Sequence, residues 1–462
     1  MDVGSLTDPY VKLCFLDNSN NTSKLNGIRL KSLTRMNTLD PVFHSYLAFP
    51  FIPSDDDILL IKVGDEDVSN RDDRIGTASV PFRTIKNASE PLTVELDMLT
   101  KLNSEDGMKS SVTLRLVHCG PTPLENTRKE IFVIRHGESK WNVGQASGNV
   151  KGMVSQYDHE LTSVGIAQAQ DFNTRWKAAR DLHIKSSENG SSATSTHDTC
   201  KQEKTSDIVS DDSRSPEKTT CEVPVHDANA EHDLDFESFL SAEQIFASPL
   251  TRATQTALLT CEGHPLMATQ GITLLRNLRE IKNFGSFDTV GKYSGTDIVD
   301  HVKDVLAKDI GEDRANELMV DINYNDSVGP WWTPLEVKES KEDIRRRFEE
   351  LWSFLRFGTT ANTIILVGHS HFFRYMLHTH MSDEFRQRDP QWTAILDKAK
   401  LDNGACMKLS VEWDAQLPPM TPPVIHNAHL VFGSRLSGEN DGFTSSESIT
   451  VDISASESNT SQ

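Results

Sequence analysis

The stretch Ile131-Phe132-Val133-Ile134-Arg135-His136-Gly137-Glu138-Ser139 decides the reading of this chain. Its four leading apolar residues, three of them β-branched, predict a short buried strand, and the glycine that follows predicts a turn. Arg135 and His136 therefore stand at the carboxyl end of a strand, where open α/β sheets place their ligands. Thr363-Ile364-Ile365-Leu366-Val367-Gly368-His369-Ser370 repeats the arrangement. Between the two, Gln244-Ile245-Phe246-Ala247 reads as a third strand, and a helix from Thr251 to Cys261 begins just after Pro249 and carries Arg252. Leu161 to Arg180 is predicted helical. Lys341 to Phe357 places Ile344, Phe348, Leu351, Trp352 and Leu355 on one helical face, with Ser340 as its cap. Strands and helices in alternation predict a parallel-rich sheet covered on both faces.

Two imidazoles and two guanidinium groups at neighbouring strand ends suit one kind of chemistry. A phosphoryl group in transfer spreads charge over three equatorial oxygens, so catalysis is mostly positioning and electrostatic stabilisation. Arginine supplies permanent charge and a fork of donors matched to phosphate. A neutral imidazole can attack phosphorus and form a covalent intermediate. The leaving alkoxide then needs a proton, and Glu280, in Leu278-Arg279-Glu280, is the candidate donor.

Arg135-His136-Gly137, Ser248-Pro249 with Arg252-Ala253 and Gln255-Thr256-Ala257, and Gly368-His369-Ser370 together resemble the histidine phosphatase (phosphoglycerate mutase-like) superfamily. Asp158-His159-Glu160-Leu161-Thr162-Ser163-Val164-Gly165 matches that family's turn and helix start. The resemblance runs from about Glu130 to Val431. It implies His136 as the phosphorylated nucleophile and Arg135, Arg252 and His369 as the phosphate pocket. It also implies Glu280 as general acid and then base, and Asn142 as an auxiliary phosphate contact. Serine after His369 favours the branch whose proton donor comes from the Leu-x-Glu segment. Gly152 to Asp158 lacks the family mutases' Gly-Trp, and Ile281-Lys282-Asn283-Phe284 replaces their substrate-holding residues. Hydrolysis is thus expected over mutase chemistry, with mutase-type transfer and non-catalytic ligand binding as alternatives. The expected substrate is a phosphorylated small molecule or phosphoprotein, and no cofactor is expected for this chemistry.

Upstream, the first ~118 residues alternate β-rich runs (Tyr10 to Phe15, Ile58 to Val63, Val112 to Val117) with Asn/Asp/Gly/Pro turns, the pattern of an antiparallel sandwich. Asp2 and Asp8 share one loop; Asp65, Asp67 and Asp73 share another. Clustered carboxylates are the ligand set of calcium, and without a cation they repel. This arrangement, with Asn37-Thr38-Leu39-Asp40-Pro41, resembles the C2 domain, a calcium- and phospholipid-binding sandwich. The resemblance implies those five aspartates as metal ligands and a calcium-dependent, peripheral attachment to anionic phospholipid. The chain begins at the first aspartate loop, so the sandwich is expected to lack its first strands.

The expected architecture is an all-β C2-type sandwich (1–118), a linker (119–129), and a three-layer αβα phosphoglycerate mutase-like domain (130–433). Residues 186–235 hold twelve acidic against four basic residues, with many Ser and Thr, and are expected to be a disordered insertion; 434–462 are expected to be an acidic, Ser/Thr-rich tail. The net charge of −21 argues against nucleic acid as a partner. The six cysteines are scattered and predict neither disulfides nor a zinc site. No signal peptide or membrane span is recognisable, and a cytoplasmic location follows as the expectation.

Overall fold

The computed structural model describes residues 7–16, 28–32, 34–35, 41, 43, 45–66, 72–88, 90, 92–98, 111–114, 127–154, 156–190, 235–282, 287–333 and 339–437, with the backbone alone at 98, 111–114 and 182–190. The first part is β-rich, with a short helix at Phe82–Lys86: β1 (Pro9–Leu16), β2 (Leu30–Lys31), β3 (Ile58–Asp65), β4 (Asp73–Pro81), β5 (Leu92–Glu95), β6 (Asp97–Met98) and β7 (Ser111–Leu114). An antiparallel sheet has the order β2-β1-β3-β4-β6, and β5 pairs with β7. Successive strand side chains point to opposite faces. Val11, Leu13 and Phe15 of β1 therefore meet Leu59, Ile61 and Val63 of β3 in one core, closed by Phe82 and Ile85.

The second part is α/β. Its strands are β8 (Thr127–Arg135), β9 (Gln244–Ala247), β10 (Ile272–Leu274), β11 (Ile322–Asn323), β12 (Thr363–Gly368), β13 (Lys400–Leu401), β14 (Cys406–Trp413), β15 (Val424–Val431) and β16 (Leu436–Ser437). Seven of them form a sheet in the order β11-β10-β9-β12-β8-β14-β15, parallel from β11 to β8 and antiparallel across β14 and β15. The helices that shape the site are α1 (Lys140–Ala146), α2 (Ser163–Gly190), α3 (Thr251–Thr260), α4 (Thr296–Ile310), α5 (Lys341–Ser353) and α6 (Ser370–His380). Phe132, Ile134, Ile365 and Val367 face a core with α2, α3 and α4, while Ile131, Val133, Ile364 and Leu366 face the core under α5 and α6. Apolar residues run continuously along β8 and β12 because both faces are covered.

Several boundaries differ from the sequence reading. β8 starts at Thr127, inside the expected linker, because Thr127 pairs with Trp413 of β14. Helix α2 runs to Gly190, past the expected start of the insertion. Asp235 is buried and accepts hydrogen bonds from Lys408 Nζ (3.1 Å) and His429 Nε2 (2.7 Å), so it belongs to the folded part. Leu436 in the expected tail is buried and pairs with Leu401. The expected helix from Lys341 becomes a π turn at Phe354–Gly358. Strands β14 and β15 were not anticipated. No helix among the described residues is long and apolar enough to cross a membrane.

The two parts touch. Tyr46 packs on Phe354 with ring centroids 5.4 Å apart, Ser353 Oγ donates to the Tyr46 carbonyl, and Arg35 Nη2 lies 3.1 Å from Glu350 Oε1.

Candidate active site

Register brings the three motif-bearing strands to a common end. Gly368 pairs with Arg135, and Val367 pairs with both Ile134 and Ala247. The residues that follow, His136, Ser248 and His369, thus emerge side by side. The His136 amide donates to the Gly368 carbonyl at 2.9 Å, and the Ser248 amide to the Val367 carbonyl at 2.9 Å. Arg135, His136, Arg252, Glu280 and His369 are all buried around this point.

Two neighbours that can each play only one part fix the state of His136. Nδ1 lies 2.6 Å from the Gly137 carbonyl, which only accepts; Nε2 lies 3.2 Å from Arg252 Nε, which only donates. The hydrogen is therefore on Nδ1, and Nε2 presents its lone pair. Burial, followed by the charges of Arg252 and Arg135, pushes the pKa well below the ordinary imidazole value. The ring is uncharged at neutral pH. His369 stands 5.1 Å away, ring centre to ring centre, and is likewise held neutral by burial and Arg252. Its Nε2 lies 2.9 Å from Ser248 Oγ, and its Nδ1 is buried with no hydrogen-bond partner among the described residues.

The guanidinium groups flank the histidines. Arg252, the second residue of α3, donates Nη1 to the Asp288 carbonyl at 2.9 Å, with the Asp288 carboxylate 3.8 Å from Nη2. Arg135 donates Nη1 to the Leu401 carbonyl at 2.6 Å, while its Nε is buried with no partner among the described residues. Burial lowers its pKa to about 10, which leaves it charged. An unsatisfied buried donor is costly. A phosphate oxygen placed beside Arg135, Arg252 and the two imidazoles would satisfy it.

Glu280 lies after the 3₁₀ turn Arg276–Leu278. Its Oε1 accepts from the amides of Ile281 (2.9 Å) and Phe372 (3.0 Å), and its Oε2 from the amide of His371 (3.3 Å). The last two are first-turn amides of α6, the helix that starts directly after His369. The carboxyl group is thereby tied to the same strand end as the pocket. Asn142 is used locally: its Oδ1 accepts from the Ser139 amide at 3.0 Å and closes the capping box of α1. Only its Nδ2 could face a phosphate. Asn403 Nδ2 donates to the His136 carbonyl at 3.1 Å, a contact the sequence reading missed.

Asp158 and Asp288 were also missed as parts of the site. Asp158, at φ 53°, accepts from the Thr251 amide (2.8 Å) and hydroxyl (2.9 Å), anchoring the start of α3 and so Arg252. Burial raises the pKa of each aspartate to about 6, with Arg252 opposing the rise in both. Asp158 was legible only as a turn residue, and nothing near Asp288 in sequence marks it.

In the amino-terminal part, register sets Asp65 opposite Asp73, and opposite Pro9, the residue after Asp8. The Asp8 amide donates to Asp65 Oδ1 at 2.6 Å. No group of three or more His, Cys, Asp or Glu among the described residues is placed to hold a metal ion. Asp2 and Asp67 lie outside the described residues. The described carboxylates do not by themselves make a calcium site.

Comparison with known proteins fits this geometry. Residues 1–96 match the C2 domain model, and residues 131–211 match the model of the histidine phosphatase superfamily (branch 1). Residues 1–96 thus form a C2 domain, and residues 131–211 belong to a histidine phosphatase superfamily domain. A probable phosphoglycerate mutase of Proteus mirabilis is 39% identical over 61 residues, 13% of this chain and 26% of that protein. The chain thus spans about a quarter of the length of that curated relative. Among solved structures, the ecdysone phosphate phosphatase of Bombix mori, in complex with tungstate, is 16% identical (TM-score 0.30, 64% of this chain, 94% of that one). A putative alpha-ribazole-5'-P phosphatase of Escherichia coli is 14% identical (TM-score 0.28, 61% and 90%). The phosphoglycerate mutase of Bacillus anthracis is 14% identical (TM-score 0.31, 65% and 93%).

Proposed function

We propose that the protein is a phosphomonoesterase working through a phosphohistidine at His136. The observation that carries this reading is the fixed tautomer: Nδ1 bonded to the Gly137 carbonyl, and Nε2 unprotonated, its lone pair held by Arg252 Nε until a phosphoryl group takes that place. In the first step Nε2 forms a bond to phosphorus and the phosphorus–oxygen ester bond breaks. The departing alkoxide takes a proton from the Glu280 carboxyl group. In the second, water attacks phosphorus, Glu280 takes the water's proton, the phosphorus–nitrogen bond breaks and phosphate leaves. Arg135, Arg252 and His369 hold the equatorial oxygens throughout, and the Asn142 amide adds a contact from α1. The substrate is a phosphorylated small molecule or phosphoprotein. Release of phosphate from 4-nitrophenyl phosphate, lost in His136→Ala, supports the reading; activity that survives that substitution removes it.

The C2 domain supplies calcium-dependent, peripheral attachment to anionic membranes on the cytoplasmic side. The pairing of Asp65 with Asp73 next to Asp8 supports this, with Asp2 and Asp67 completing the ligand set. Co-sedimentation with phosphatidylserine vesicles in calcium, reversed by a chelator, tests it; equal binding with and without calcium speaks against it.

A further inference from the structure

Glu350, on α5, is a carboxylate almost shut off from water, its side chain 6% exposed. Oε1 accepts from Arg35 Nη2 at 3.1 Å and from Ser45 Oγ at 2.6 Å, and Oε2 accepts from Asn277 Nδ2 at 2.8 Å. Two of these donors belong to the C2 domain. The third belongs to the 3₁₀ turn that leads into Glu280. The residue before Asn277 is held as well: the Arg276 amide donates to Asp326 Oδ2 at 2.9 Å, and Arg276 Nη2 donates to the Phe43 carbonyl. Arg35 donates to that same carbonyl. One turn earlier on α5, Arg347 Nη1 donates to the Arg279 carbonyl at 3.0 Å. The segment 276–280 is therefore gripped by one helix face and by the C2 domain together.

We infer that Arg35, Ser45 and the main chain at Phe43 are positioning residues for Glu280, so that the C2 domain holds the leaving-group acid in place as well as tethering the enzyme. This rests on the reading of Glu280 as that acid. A buried carboxylate must keep compensating donors or be rearranged. Burial lowers the Arg35 pKa only to about 10, with Glu350 opposing the shift, so the guanidinium stays charged at neutral pH. Without Arg35, Glu350 retains the neutral donors Ser45 and Asn277, and the 3₁₀ turn bearing Asn277 is the backbone nearest to yield. Glu280 stands three residues further on. A general acid displaced by a fraction of its hydrogen-bond reach still leaves the nucleophile intact, and in the phosphorylation step only leaving groups that need a proton suffer.

The full-length chain is assayed on two esters, 4-nitrophenyl phosphate, whose leaving group departs without a proton, and glycerol 2-phosphate, whose alkoxide needs one. Glu280→Gln calibrates the method: it should depress kcat/KM, which reports the phosphorylation step, far more for the alkyl ester than for the aryl ester. Arg35→Met should show the same selectivity in kcat/KM, roughly 10- to 100-fold between the two esters. Arg35→Lys, whose single ammonium can donate to both acceptors, should restore much of the ratio. If Arg35→Met does not fold by near-ultraviolet circular dichroism, Ser45→Ala is read on the same two esters, with a smaller selective loss expected. Equal loss on both esters, or none, while Glu280→Gln stays selective overturns the inference alone. A Glu280→Gln without selectivity overturns the assignment of the acid and the inference with it.

Discussion

At His136, one carbonyl and one guanidinium nitrogen decide which imidazole nitrogen can attack, because neither neighbour can reverse its role. Arg252 is both partner and pocket wall. Arg252→Lys keeps the charge and loses the fork, so kcat on 4-nitrophenyl phosphate should fall by roughly 10²-fold. Steady-state kinetics check this, and a loss of less than a few-fold would mean that charge alone suffices. Asp288 carries a different prediction. Burial raises its folded-state pKa to about 6, above the ordinary aspartate value of 3.8. Its stabilising protonation is complete below the unfolded value and is lost as pH rises through about 6. Asp288→Asn removes that penalty while the Asp288 main-chain carbonyl can still accept from Arg252. The variant should therefore gain stability over wild type at pH 7.5, by up to ~2 kcal/mol, and the gain should shrink to roughly a third by pH 4.5. Thermal midpoints at the two pH values are the measurement. Of these residues, Arg135, His136, Arg252 and His369 were legible because each follows a strand or helix signal readable in its own sequence window. Asp288 and Asn403 were not. Each reaches the site from a distant loop, across 36 residues to Arg252 and 267 to His136.

Among the elements, the turn after β8 depends on two glycines that touch. A Cβ on Gly137 would lie 2.4 Å from the Gly165 carbonyl oxygen, and one on Gly165 would lie 2.0 Å from that of Glu138. These are backbone atoms and cannot step aside. Gly165→Ala should cost about 1–3 kcal/mol and weaken activity through the displaced His136 turn; a variant with wild-type midpoint and kcat would show that the turn yields freely. Helix α5 offers a separate test. Ser340 and Asp343 form its capping box, so Ser340→Ala should lower stability by about 1 kcal/mol without a selective effect on either ester. That helix was legible from its period and cap. Strands β14 and β15 were missed because half-buried antiparallel strands alternate with polar residues, whereas the strands that were recognised, β8, β9 and β12, are buried on both faces and read as apolar runs.

For the whole molecule, the sequence announces two folds and says nothing of how they meet. Arg35 and Glu350 are 315 residues apart, and a buried ion pair leaves no mark in either local pattern. Among the described residues, Arg35, Ser45 and Tyr46 join the parts by lying on α5 and the turn after it, next to the segment that carries Glu280. Both domains thus bear on one claim, that His136 becomes covalently phosphorylated. The direct measurement is brief reaction with a ³²P-labelled ester, acid-free quenching, and location of the label by peptide mapping. An acid-labile, alkali-stable label is expected on the peptide bearing His136, absent in His136→Ala and longer-lived in Glu280→Gln. Full turnover with no such label, or the same label in His136→Ala, would contradict the claim.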